Sequence, residues 1–399
     1  MSKSNLSLVP GVIHLQGGVV AAKDVAIPLP TTVGAPAEPA ATAIIYCEGN
    51  FAKIDGKTAN GLIRHSEKYQ ILSVIDSQKA GLDTGMALDG KPNSIPVFRD
   101  ITAALASAGQ IPDYLIYGMA PASGMLSTTE RSLVLYAMSL GMNIVNGLHE
   151  FLNDDPEFIA ASADANVKIL DVRKPRAKKD LRLFSGRIEE VTCPVIAVLG
   201  TDAAIGKRTT ATVMTKALNE RGINAVMVGT GQTGLIQGAR YGVALDAIPS
   251  QFCSGEVEAT ILEAFEGENP DVIIIEGQGA LSHPAYLSST FILRGGRPHG
   301  VVLQHAPGRK SRCDFDQMAM PTPASEIEII QAFADTKVIG LTINHENMTA
   351  AQVNAAITLY ESELGIPTTD ALTHSSDRLV EMVLSAFPEL EEKLAAGAL

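Results

Sequence analysis

Cysteine is scarce. The 399 residues hold four, Cys47, Cys193, Cys253 and Cys313, far apart and without a C-x-x-C pair. That spacing argues against a zinc site and a disulfide framework, and predicts buried free thiols in a reducing compartment. Long apolar runs are missing too, since none reaches the ~18 residues of a membrane span. The N-terminus shows no charged start, apolar core and cleavage site in succession. No secretory signal is therefore expected, and the cytoplasm is. Positive charge is in deficit: the net charge of −13 argues against nucleic acid as the main partner. Anionic small molecules remain open to local basic sites. Tryptophan is absent, which bears on no function. What the chain has is apolar bulk. Hydrophobic residues make up 46% of it, enough to core two or three domains.

The chain is organised around residues 194–210. Val195 to Leu199 is an unbroken apolar run, the pattern of a parallel strand covered on both faces. Gly200 and Gly206 bracket a short loop of Thr201, Asp202, Ala203, Ala204 and Ile205. A helical pattern then runs from Lys207 to Arg221, with Val213, Met214, Ala217 and Leu218 on one face and Gly222 at its end. Strand, loop and helix in that order gather backbone N–H groups and a helix N-terminus around one point, with Lys207 beside it. That geometry suits a phosphate group. The usual phosphate loop places Ser or Thr directly after the lysine. Here Arg208 follows, and the hydroxyls come at Thr209 and Thr210. The expected reading is phosphate binding; the alternative is a purely structural turn. The departure bears on the Mg²⁺ ligand, for which Thr209 and Glu276 are the candidates.

Residues 1–40 read as an arm, with a short strand or hairpin at 11–20 and a linker at 35–40. Its apolar residues suit packing on its own domain or on a neighbouring subunit, so a homo-oligomer is expected. Residues 41–186 show a strand–helix rhythm, with strands at 43–47, 71–75, 95–98, 114–117, 143–146 and 167–170. Helices are expected at 58–65, 101–108 and 127–140. Asp76, after the second strand, suits the acid that holds a ribose in dinucleotide folds, but Glu48-Gly49-Asn50-Phe51 is no G-x-G-x-x-G. A Rossmann-like domain without a nicotinamide cofactor is expected. Leu148-His149-Glu150 ends the fifth strand. The pair suits acid–base work or anion binding, yet a histidine capping or packing a strand–helix junction is the expected reading. The basic run from Arg173 to Arg187 reads as a solvated connector, with a polyphosphate site as the minority reading.

Residues 187–399 form a second α/β unit, with strands at 225–228, 272–275, 300–304 and 337–343 and a short one within 368–373. Helices are expected at 255–265, 325–334, 349–364, 376–387 and 389–395, with Ser376 as a cap. Strand ends should converge on the phosphate loop. They bring the glycine-rich turn before Gln232 and Thr233, Glu276-Gly277-Gln278-Gly279, His283, His305, and the cations Arg309, Lys310 and Arg312. Asn344 suits either a nucleobase edge or a turn. The fold class is α/β: two doubly wound parallel-sheet domains, Rossmann-like then P-loop NTPase-like.

Gly200 to Lys207, with Glu276-Gly277-Gln278-Gly279, resembles the phosphate loop of dethiobiotin synthetase and its relatives. Residues 41–372 resemble a two-domain family long of unknown function, on Asn146-Gly147-Leu148-His149-Glu150, Asp171-Val172-Arg173-Lys174-Pro175 and Gly200-Thr201-Asp202. Its characterised type is a D-glutamate N-acetyltransferase. The resemblance implies acetyl transfer from acetyl-CoA to the amine of an acidic amino acid. Residues 200–210, from Gly200 and Thr201 to Thr209 and Thr210, would hold the donor's phosphates, with Asn344. Gln232, Thr233, Arg309, Lys310 and Arg312 would bind the acceptor, and Glu276, His283 or His305 would take its proton. N–H groups near Gly231 or Gly277 would stabilise the oxyanion. The alternative, of dethiobiotin-synthetase type, is an ATP- and Mg²⁺-dependent carboxylate-activating ligase, with Lys207 on the β/γ-phosphates. A nucleotide-gated binding protein keeps the same loop without a base.

Overall fold

The structure is a computed structural model that describes residues 40–121 and 123–397. The arm expected over 1–40, with its strand or hairpin, lies outside the described residues except for Ala40. The first sheet comprises β1 (Ala41–Tyr46), β2 (Tyr69–Ile75), β3 (Val97–Phe98), β4 (Tyr114–Tyr117), β5 (Asn143–Asn146) and β6 (Ile169–Asp171). Its order is β3-β2-β1-β4-β5-β6 with every pairing parallel, the Rossmann arrangement. Between the strands run α1 (Lys57–Arg64), α2 (Thr84–Asp89), α3 (Ile101–Ala108), α4 (Thr128–Ser139) and α5 (Pro156–Ala165). Local chemistry fixes their starts. Ser127 and Glu130 form a reciprocal capping box on α4, and Asp155 accepts the first N–H groups of α5 behind Pro156. Ile44, Ile45, Ile116 and Val145 lose all contact with water, as apolar runs in a doubly covered sheet should.

The second sheet comprises β7 (Val195–Gly200), β8 (Ala225–Gly229), β9 (Tyr241–Gly242), β10 (Val272–Glu276), β11 (Gly300–His305), β14 (Lys337–Ile343) and β15 (Thr368–Thr369). A two-stranded antiparallel ribbon, β12 (Ser311–Arg312) with β13 (Phe315–Ala319), stands apart. The order is β15-β14-β11-β7-β10-β8-β9, so β7 sits at the centre and its C-terminal end opens between β10 and β11. The helices are α6 (Lys207–Glu220), α7 (Gln232–Gln237), α8 (Ser250–Glu268), α9 (Ser288–Gly296), α10 (Pro323–Phe333), α11 (Ala350–Leu364), α12 (Asp377–Ala386) and α13 (Pro388–Gly397). Met214, Ala217 and Leu218 bury one face of α6 against Ile196, Val198 and Ile274. None of the described helices is long and apolar enough to cross a membrane.

Several elements depart from the sequence expectation. β3 shrinks to two residues, β6 ends at Asp171, and α8 begins at Ser250 rather than 255. Ser376 occupies the N-cap of α12, but in a helical conformation whose side chain caps nothing. Asp76 is not free for a ribose: it is buried and accepts from the N–H groups of Gly49, Phe51 and Gln78. The basic run is largely exposed, as a connector should be, but several of its cations are paired. Arg182 pairs with Glu256 and Glu263 of α8, Arg187 with Glu190 and Glu266, and Lys174 with Asp154. Acids spaced along α8 supply partners the sequence left unassigned, and these pairs tie the connector to α8.

The two sheets meet at α1 and α7. Thr58 Oγ1 lies 2.9 Å from Thr233 Oγ1, buried. Gln237 Nε2 donates to the carbonyls of Gly61 (2.7 Å) and His65 (2.8 Å), and the carbonyl of Gln237 accepts from Glu67 N. Gly61 lacks a Cβ where one would stand 2.7 Å from the Arg208 guanidinium.

Candidate functional site

The loop after β7 reverses through Ala204 (φ +51°) and Gly206 (φ +106°), the second a conformation suited to glycine. Its carbonyls are tied. Arg309 donates to the carbonyls of Ala203 (3.0 Å) and Ala204 (2.8 Å), Arg312 to that of Thr201 (3.4 Å), and Asn344 Nδ2 to that of Ile205 (3.0 Å). Thr201 N donates to the Gln304 carbonyl. With these four carbonyls tied, the loop's N–H groups and the start of α6 remain for an anion, and N-cap Gly206 offers no competing side chain. Lys207 is buried, with Nζ on the Asp202 carbonyl. Burial lowers its pKa to about 8 against the opposing pull of Asp202. An anion arriving in the loop would supply the counter-charge this ammonium lacks.

The cations expected to bind substrate carboxylates are used otherwise. Arg309 also pairs with Glu346 (2.8 Å) and Asp202 (3.4 Å), and Arg312 donates to Ser282 Oγ (2.8 Å). Both brace the loop, and only Lys310 of the three is exposed. Asn344 is a turn residue and loop brace, since its Oδ1 accepts from Glu346 N. Thr233 is spent on Thr58.

Arg208 turns away from the loop to Gln237 at the seam between the sheets. Thr210 Oγ1 donates to Gln304 Oε1, and Thr209 is half-buried. No group of three His, Cys, Asp or Glu side chains suited to a metal occurs among the described residues. Arg208 takes the place after the lysine, so no hydroxyl stands there for Mg²⁺, and a departure from the usual loop is plain at that position.

Asp202 is fully buried. Its Oδ2 accepts from Cys313 N (2.7 Å), and its Oδ1 faces His283 Nε2 at 3.5 Å. His283 Nδ1 accepts from the N–H groups of Ala285 and Tyr286, so its hydrogen belongs on Nε2, toward Asp202. That leaves no lone pair for a substrate proton, and His283 serves as a brace. His305 Nδ1 bonds Thr201 Oγ1 at 2.9 Å, and burial lowers its pKa to about 4. Its ring lines a cavity of about 210 Å³ with Arg309, Thr322, Tyr360 and Glu363. Glu276 ends β10 in full burial, which raises its pKa to about 7 against the pull of Arg208 and Lys207. Its Oε2 accepts from Thr230 N (3.1 Å). Gly277 packs on the β7 backbone at Val198.

At the seam the structure sets Lys57 and Arg173, which sequence reasoning gave no site role, near Gln232, which it did. Lys57, the first residue of α1, is exposed yet flanked by protein, and that crowding, then Arg173, lowers its pKa. Lys57 lies within electrostatic reach of Lys207 and His149. Arg173 is buried and grips Asp246 through Nε (3.0 Å) and Nη2 (2.8 Å). Gln232 is buried with Nε2 unpartnered among the described residues. No sequence signal marks Lys57, because its placement depends on the Thr58–Thr233 contact.

Residues 77–175 match the Rossmann-like domain of a domain family of unknown function, DUF1611_N, and residues 182–380 match its partner P-loop domain, DUF1611_C. A protein of Pseudoalteromonas sp named D-glutamate N-acetyltransferase is 31% identical over 272 residues, 66% of this chain and 79% of that one. The chain belongs to the DUF1611 family. A second relative of the same name, from Tritonibacter scottomollicae, is 30% identical over 275 residues, 67% of this chain and 80% of that one. The crystal structure of a DUF1611 family protein from Anabaena variabilis superposes with a TM-score of 0.79 at 30% identity, covering 86% of this chain and 99% of that one. The family's two-domain plan, Rossmann-like then P-loop, is the plan of this fold.

Proposed function

We propose that this family member transfers an acetyl group from acetyl-CoA to the amine of an acidic amino acid such as D-glutamate. The names of its relatives support the reaction, and one observation in the site carries the choice over phosphoryl transfer. The residue after Lys207 is Arg208, committed to Gln237, and Thr210 is committed to Gln304. A loop so built grips phosphate without organising Mg²⁺ for γ-phosphoryl chemistry. Lys207 and the N–H groups of residues 202–206 would hold the pyrophosphate or 3′-phosphate of acetyl-CoA. Asp202, Arg309, Arg312 and Asn344 keep that loop in shape. The four free thiols fit a cytoplasmic setting.

The test is direct. Purified protein with acetyl-CoA and D- or L-glutamate should release CoA and N-acetylglutamate, read by mass spectrometry. Acetyl-CoA should raise the melting temperature and ATP–Mg²⁺ should not. No acetylated product, with stabilisation by ATP–Mg²⁺ instead, refutes the reading.

A further inference from the structure

The seam between the two sheets holds a second set of side chains that the phosphate loop does not use. His149 follows β5, and its N–H is tied to the Gly124 carbonyl (3.1 Å). One side of it lies against Gly124, in line with the packing reading of the sequence, while the side chain stays 49% exposed. Nε2 faces Asp246 Oδ2 at 3.8 Å. Asp246 is held by two nitrogens of Arg173, which also donates to the Gly147 carbonyl. A fixed carboxylate on that side favours the tautomer with hydrogen on Nε2 and leaves the lone pair on Nδ1. Lys57 meets its charged neighbours only through space. Gln232, beside Gly147, adds a buried amide donor without a partner among the described residues.

We propose that this seam is the acceptor half of the site: Lys57 and Gln232 hold a carboxylate of the amino acid, and His149 takes a proton from its ammonium. The inference rests on the acetyl-transfer reading and gives the Rossmann-like domain a role in it. Burial and the Arg173 charge keep the His149 imidazole below its ordinary pKa, hence neutral and basic at pH 7. The proton balance is as follows. The ammonium gives one proton to His149 Nδ1, which passes it to water. The free amine attacks the thioester carbonyl, the C–N bond forms, and the C–S bond breaks with its electron pair on sulfur. The second proton on nitrogen goes to that sulfur, giving the amide and free CoA.

The experiment uses the full chain with acetyl-CoA and D-glutamate. His149→Ala should lose at least about 100-fold in kcat while its thermal shift with acetyl-CoA persists, and added imidazole should restore part of the rate. His149→Gln, closer in shape, should lose as much. Lys57→Met should raise KM for glutamate at least about tenfold with kcat little changed. The assignment of His149 falls if its variants stay within about threefold of wild type, or lose rate without imidazole rescue. An unchanged KM in Lys57→Met overturns the carboxylate role. A wild type that forms no N-acetyl product sinks the acetyl-transfer reading as a whole; an active wild type with an equally active His149→Ala sinks only this one.

Discussion

Replacing Glu276 by Gln should change how stability depends on pH. Burial raises this carboxyl from 4.5 to about 7 in the folded chain. The folded state therefore disfavours ionisation that the unfolded state permits. Its contribution is neutral below about pH 4.5, turns destabilising as pH rises, and reaches its full cost above about pH 7. Each pKa unit is about 1.36 kcal/mol, so the full cost is about 3 kcal/mol. The amide keeps an acceptor for Thr230 N and carries no charge to desolvate. Glu276→Gln should match wild type near pH 4.5 and exceed it by up to about 3 kcal/mol at pH 8. For a chain of this size that is about 4 °C in melting temperature. Thermal melts of both proteins from pH 4.5 to 8.5 give the difference curve, in which groups common to both cancel. A difference that stays flat with pH refutes the argument that Glu276 is lifted by burial.

Three further outcomes follow from the same geometry. Lys207→Met removes a buried ammonium, so the ligand-free protein should melt at the wild-type temperature or above, while the Kd for acetyl-CoA rises at least about tenfold by calorimetry. Arg309→Ala strips Asp202 of a buried partner and frees two loop carbonyls, which should cost about 3–5 kcal/mol in denaturant melts and speed amide exchange over residues 201–206. Gly61→Ala puts a methyl group 2.7 Å from the Arg208 guanidinium, which should cost about 1–3 kcal/mol and weaken acetyl-CoA binding by shifting the start of α6.

The strands and the phosphate loop were legible because burial on both faces forces continuous apolar runs, as in β7 and β10, and because Gly206 and Lys207 mark the turn locally. Short elements were not. α7 is buried on nearly every side and so shows no periodicity, and the β12–β13 ribbon is tied by two register positions. At the site, residue type pointed to cations near the loop, but type does not reveal a partner. Arg309 reads as an anion receptor until Glu346 and the loop carbonyls are seen beside it. The converse holds for Lys57, an ordinary surface lysine in sequence that only the contact between sheets brings to the seam.

Arg208 leads from the first turn of α6 through Gln237 to the carbonyls of Gly61 and His65. The hold on a donor molecule and the posture of the two sheets thus share one chain of bonds. A clamshell swing to eject product would have to break that chain at a half-buried arginine. The bonds through α1 and α7 thus set a cost on any motion that would part the two sheets.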